Sequence, residues 1–238
     1  ALAGEEPWSF DQIGSADVPA VLRAAAETGV GRVVIVSSGS VYPLAKERAG
    51  RFEADRDQTA PASLYGLTKM MAEQAAIRLG QVYGLSTPIL RLAGVYGPYE
   101  RNTGVREILS AQAQVVAAAA KGQEARLARA CHGGWLHSRD AADGLIALLD
   151  APLSEPAPVF DLGGPEVFSV LSFCEAIAPA FPGWAYRLDA SDPTIRFQLP
   201  ADRPASDFER LAAATGFRPR FGLRNGTADY LAWLDRNR

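Results

Sequence analysis

Apolar and polar positions fall in blocks along this chain, and the period of each block identifies an element. From Ala16 to Thr28, Val18, Val21, Leu22 and Ala25 recur at helical spacing. Pro19 suits the first turn of that helix, where a missing N–H is tolerated, and Gly29 and Gly31 close it. Arg32-Val33-Val34-Ile35-Val36 is β-branched and apolar after its first residue, the pattern of a strand covered on both faces. Leu64, Leu67, Met71, Ala75 and Leu79 return to helical spacing, between start signals at Pro61 and Ser63 and a stop at Gly84. Ser86–Leu92 is the next predicted strand. Helix, short loop, buried strand, repeated, predicts a parallel α/β sheet for residues 1–95.

Past Gly94 and Gly97-Pro98 the blocks shorten. Helices are predicted from about Val105 to Ala120, over Arg139–Asp150 with Ser138 and Asp140 at its start, over Leu171–Ala180, Asp207–Thr215 and Leu223–Leu234. Short strands are predicted at Glu124–Leu127, Trp135–His137, Val159–Leu162 and Tyr186–Leu188, with a turn at His132-Gly133-Gly134. Residues 1–12 and 43–60 read as polar loops. Residues 96–238 are expected to form mainly a smaller lobe, with 139–163 returning to the sheet.

Composition narrows the class. The 238 residues are 48% hydrophobic and 21% charged, ordinary for a globular protein with a sizeable core. A net charge of -3 does not point to a general nucleic-acid surface. No apolar run approaches the ~20 residues of a membrane span. The first residues lack the basic region and apolar core of a secretion signal. With two cysteines and two histidines, no disulfide framework and no metal site is expected, and the expected setting is cytoplasmic.

Against this background two stretches stand out. Ser37-Ser38-Gly39-Ser40-Val41-Tyr42 ends the first apolar run. Tyr65-Gly66-Leu67-Thr68-Lys69 opens the second helix, and its Tyr65 and Lys69, four residues apart, share a helix face. A free tyrosine is a poor base at neutral pH, but a nearby ammonium favours its phenolate. The pair can then exchange a proton with a carbinol or carbonyl oxygen, and Ser38 can hydrogen-bond that oxygen. Such chemistry needs a hydride acceptor, which a nicotinamide supplies and whose ribose Lys69 can reach. Glu100–Arg106 follows the Gly97-Pro98 turn. Arg106, at a predicted helix start, can fork onto a substrate carboxylate.

Ser37–Tyr42, Tyr65–Lys69, Arg91–Pro98, Trp135–Asp140, Asp161–Gly164 with Ser169-Val170, and Arg203-Pro204 resemble, in order, the blocks of the extended short-chain dehydrogenase/reductases, in the NAD-dependent epimerase/dehydratase branch. The resemblance implies a Rossmann-like doubly wound parallel sheet with a smaller C-terminal α/β substrate lobe. It implies catalytic roles for Ser38, Tyr65 and Lys69. It assigns cofactor contacts to Tyr65, Lys69, Ser37, Leu92 and Val95, and substrate contacts to Ser40, His137 and Arg203. NAD is favoured over NADP by the resemblance alone. A sugar, sugar acid or sugar nucleotide is the expected substrate. Epimerase and dehydrogenase outcomes stay open, and dehydration ranks last because Gly39 and Ser40 stand where elimination enzymes carry acidic groups. A homodimer is also implied, through the Tyr65 helix, with Met70, Ala72, Ala76 and Leu79 compatible with its contact.

Departures from the family pattern are equally specific. No G-x-x-G-x-x-G turn occurs in these residues, so the N-terminal strands of a typical member are expected to be missing and the chain to be a truncated protein or one segment of a larger one. Gly94 stands where sugar-nucleotide members carry Asn, and Gly133-Gly134 where they carry Arg-Asp. Gly14 replaces a further Asn. The rival expectation is a non-catalytic remnant that serves binding or assembly.

Overall fold

The computed structural model describes residues 17–44, 50–102 and 108–237. In chain order the helices are α1 Asp17–Glu27, α2 Leu64–Tyr83, α3 Ala111–Ala120, α4 Ser138–Asp150, α5 Val170–Ile177, α6 Glu209–Thr215 and α7 Leu223–Arg236. The strands are β1 Ile35–Ser38, β2 Ile89–Leu92, β3 Val95–Tyr96, β4 Ala125–Leu127, β5 His132–Gly133, β6 Leu136–His137, β7 Val159–Leu162, β8 Phe168–Ser169 and β9 Tyr186–Leu188. They divide into two units. The first holds the described residues of Ala1–Ala93, Ala142–Leu162 and Ser206–Arg218, the second Gly94–Ala141, Gly163–Ala205 and Pro219–Arg238.

The first unit is built on a three-stranded sheet in the order β1-β2-β7, with both pairings parallel. Parallel neighbours need crossovers, and α2 is the one between β1 and β2. Leu22, Ala25, Ile35, Ala76, Leu85 and Ile89 form the apolar layer between helices and sheet. Helix α2 begins where Ser63 accepts the Gly66 N–H and ends at Gly84 in the left-handed region, φ 68°. The Arg32 guanidinium donates to the carbonyls of Leu148, Leu149 and Ala151, closing the C-terminal turn of α4.

Some expectations need correction here. Val36 is 44% exposed, so among the described residues β1 is covered on one face only. Strand β1 also runs later than its apolar block and takes in Ser37 and Ser38. On α2, Ala72 and Ala76 are buried and Met70 and Leu79 pack on the unit's own apolar clusters. All four residues thus contribute to the chain's own core.

In the second unit short strand pairs surround one apolar cluster that includes Tyr96, Val115, Leu127, Phe168, Phe173 and Tyr230. β3 pairs with β6 and β4 with β9, both parallel. The expected turn at His132-Gly133 is instead strand β5, antiparallel to β8. Helix α3 starts at Ala111, later than its apolar pattern suggested, because Ser110 caps it and Glu100 accepts both the N–H and the hydroxyl of Ser110. Among the described residues no helix is long and apolar enough to cross a membrane.

Candidate active site

At the end of β1 the chain turns through one 3-10 turn, Gly39–Val41. Ser38 caps it: its Oγ accepts the Ser40 N–H at 3.1 Å and lies 3.2 Å from Ser40 Oγ. Ser38 is half-buried, on the strand face of Val36. Ser37, one residue earlier, takes the opposite face with Ile35 and is buried. The turn meets the first turn of α2 directly. A Cβ on Gly66 would run into the Ser40 carbonyl and sit 2.9 Å from Pro61 Cβ. Glycine at 66 thus permits the approach that brings Tyr65 beside the Ser38–Ser40 turn.

Tyr65 is 41% exposed, and among the described residues its hydroxyl makes no hydrogen bond. Lys69 Nζ donates to the Val36 carbonyl at 3.3 Å and lies 5.8 Å from the centre of the Tyr65 ring. Burial lowers the Lys69 pKa, since partial removal from water disfavours its charged form. Lys69 and Val36 line one cleft of about 220 Å3 with Val18 and Val21. An ammonium has three donors, and Val36 takes one. The remaining donors, the Tyr65 hydroxyl and Ser38 Oγ suit the hydroxyls of a ribose and a sugar. The residues present therefore fit the ribose side of a nicotinamide cofactor.

The structure gathers Ser38, Ser40, Tyr65 and Lys69 in the first unit, with half-buried Leu92 at the end of β2. It turns Ser37 away from any cofactor, because its hydroxyl donates to Glu73 at 2.5 Å in the interior. Val95, His137 and Arg203 belong to the second unit. Val95 is half-buried and pairs with Leu136. Arg203 is half-buried in an extended segment, next to Asp202, which pairs with Arg129 and His132. His137 is 0% exposed, with its ring stacked on Phe221 at 4.4 Å. That enclosure removes it from a substrate surface. Burial pushes its pKa down to about 4, opposed by Asp229 and reinforced by Arg139. Arg106 lies outside the described residues.

Sequence reasoning missed a buried polar cluster under the site. Arg91 donates through Nε and Nη2 to both Glu73 oxygens, at 2.9 and 2.7 Å, and through Nη1 to Tyr42 Oη at 2.8 Å. Tyr42 donates in turn to Asp161. Burial pushes the Tyr42 phenol far up, with the Asp161 charge adding to it. Burial opposes the Arg91 charge, but the hydrogen bonds and charge of Glu73 more than offset that. One signal was legible: Arg91 interrupts the otherwise apolar Ile89-Leu90-Arg91-Leu92, and a charge inside a buried strand requires a partner.

Trp135 explains two of the glycines. A Cβ on Gly94 would lie 2.9 Å from its indole and one on Gly133 3.0 Å. The indole is pinned by its N–H, which donates to the Phe168 carbonyl at 3.0 Å.

Comparison with known proteins agrees with this architecture. The chain is 25% identical over 233 residues to the probable UDP-glucuronate 4-epimerase of Rhizobium meliloti, covering 86% of this chain and 62% of that protein. It is 25% identical over 187 residues to the dTDP-L-rhamnose 4-epimerase of Burkholderia thailandensis, covering 76% of this chain and 48% of that one. The chain therefore spans less than two thirds of the length of these curated relatives. Among solved structures, a UDP-glucuronic acid 4-epimerase from Bacillus cereus with UDP-glucuronic acid and NAD matches with a TM-score of 0.76 at 18% identity, covering 94% of this chain and 68% of that one. A dTDP-glucose 4,6-dehydratase from Bacillus anthracis with NAD matches at 0.77 and 20%, covering 99% and 71%. These likenesses establish a Rossmann-type α/β fold. The profile of the NAD dependent epimerase/dehydratase family matches residues 5–163, and the chain belongs to that family.

Proposed function

We propose that this chain carries the proton-handling half of an NAD-dependent epimerase or dehydrogenase acting on a sugar nucleotide. The observation that carries the reading is the packing of Gly66 on the Ser40 carbonyl, which brings the start of the helix of Tyr65 and Lys69 against the turn that follows Ser38 at the C-terminal end of a parallel strand. Ligands of open α/β sheets bind at those ends. Tyr65 Oη takes the proton of a substrate carbinol or returns it to a carbonyl oxygen. Lys69 favours the phenolate by charge and offers its free donors to a ribose. Ser38 Oγ, oriented by the Ser40 N–H it accepts, donates its own proton to the same substrate oxygen. When bound, nicotinamide supplies the hydride acceptor that no side chain provides. In the first unit, Lys69 and Leu92 are the residues that would hold it.

A specific observation favours a second reading of the substrate. The Trp135 indole closes the side-chain space at Gly94 and Gly133, positions where sugar-nucleotide members carry Asn and Arg. A free sugar acid needs neither.

Both readings meet one assay. Full-length protein is incubated with NAD+ and either UDP-glucuronic acid, dTDP-glucose or free glucuronic acid, and nicotinamide absorbance and product are followed. Turnover that falls roughly 10²- to 10⁴-fold in Tyr65→Phe supports the reading. Unchanged turnover in Tyr65→Phe overturns it, as does a failure of NAD+ and NADH alike to raise the melting temperature.

A further inference from the structure

The buried cluster beneath the site joins the segments that carry Ser38, Ser40, Tyr65, Lys69 and Leu92. Ser37 precedes Ser38 on β1. Glu73 lies one helical turn beyond Lys69 on α2. Arg91 precedes Leu92 on β2, and Tyr42 follows the turn that holds Ser40. Glu73 sits at the centre. It is 0% exposed, accepts the Ser37 hydroxyl at 2.5 Å, and receives two hydrogen bonds from Arg91. The Val36 carbonyl that holds Lys69 Nζ adjoins Ser37 in the chain, so one link in the interior and one at the site tie the same two elements.

Stability alone gives little reason for this arrangement. A buried ion pair is often no more stabilising than apolar side chains of similar volume. Geometry gives a better one, because hydrogen bonds of fixed length and direction hold a strand and a helix at one spacing, whereas apolar contacts let them slide.

We propose that Glu73 is a positioning residue for the Ser38–Tyr65–Lys69 set, with Ser37 and Arg91 as its anchors on the sheet. It is too deeply buried to touch substrate or cofactor, and it acts by fixing how far the Tyr65–Lys69 helix stands from the strand of Ser38. This inference rests on the acid/base role proposed for Tyr65.

The test follows the ring signal of Tyr65 at one fixed pH, in full-length protein with carbon-labelled tyrosine, by NMR, the signal being assigned with Tyr65→Phe. Ser37→Ala cuts the strand-to-helix link with the least disturbance. Ser37→Thr retains the hydroxyl. Glu73→Gln removes the charge. We expect Ser37→Ala and Glu73→Gln to displace the Tyr65 ring signal, and Ser37→Thr to return it to its position in the unaltered protein. In the turnover assay kcat falls roughly ten- to hundred-fold with KM little changed. A purely structural role would lower the melting temperature and leave the Tyr65 ring signal in place, and that result overturns the proposal. If Glu73→Gln does not fold, Ser37→Ala decides. If the unaltered protein turns over no substrate, the proposed function fails, while the Tyr65 ring signal still decides the positioning role.

Discussion

Asp161 makes the fold sensitive to pH in a direction unusual for a carboxylate. It is 3% exposed, and burial pushes its pKa up to about 7, opposed by the Tyr42 hydrogen bond and the Arg91 charge and reinforced by Asp207 and Glu73. Between about pH 4 and pH 7 the folded chain keeps a proton there that the unfolded chain has lost. Stability therefore falls as pH rises through that window. With ~1.4 kcal/mol per pKa unit, the full loss is about 4 kcal/mol. Asp161→Asn removes this proton while its Oδ1 can still accept from Tyr42. Tyr42 after the 3-10 turn, Arg91 on β2, Glu73 on α2 and Asp207 before α6 are retained in both proteins, so their contributions cancel to first order. His137 also cancels, although its sign is opposite. Its pKa is depressed to about 4, so its contribution is present above about pH 6.5 and lost as pH falls towards 4. Urea unfolding of both proteins at pH 5 and pH 8 is the assay. From pH 5 to pH 8 the unaltered protein should lose roughly 3 kcal/mol relative to Asp161→Asn. Parallel dependence of the two proteins on pH would refute the reasoning.

Two further substitutions probe the packing that forms the site. Gly66→Ala forces the start of α2 off the Ser40 carbonyl and should destabilise by about 1–3 kcal/mol; an unchanged thermal midpoint would remove Gly66 from the account. Arg91→Met leaves Glu73 buried without its guanidinium and should cost about 3–5 kcal/mol, whereas Glu73→Leu with Arg91→Met should cost much less. A double-mutant cycle by urea unfolding checks this, and additive losses would contradict it.

How much of this was legible beforehand differs from element to element. Helix α2 was readable to its ends, because Ser63 and Gly84 act on the backbone within a turn of themselves. Strand β1 was readable only in part. Its apolar block ends at Val36, but the sheet continues through Ser37 and Ser38 because β2 lies alongside, with Ser38 opposite Leu92. His137 shows the limit most plainly. A histidine in an extended stretch is compatible with a substrate wall or with a core, and Phe221, distant in sequence, decides for the core.

The sequence by itself determined the identity and spacing of the acid/base set. Tyr65 and Lys69 share a face wherever residues 64–83 are helical, since four residues is close to one turn. The alternation of apolar blocks likewise dictated a parallel sheet with helical crossovers. Tertiary structure alone decided which of two adjacent serines faces the site and which the interior, because the pleat assigns opposite faces but not which face is covered. It also decided why Arg91 is tolerated in β2. Its partners lie 18 and 49 residues away, and no local pattern encodes a contact made across the fold.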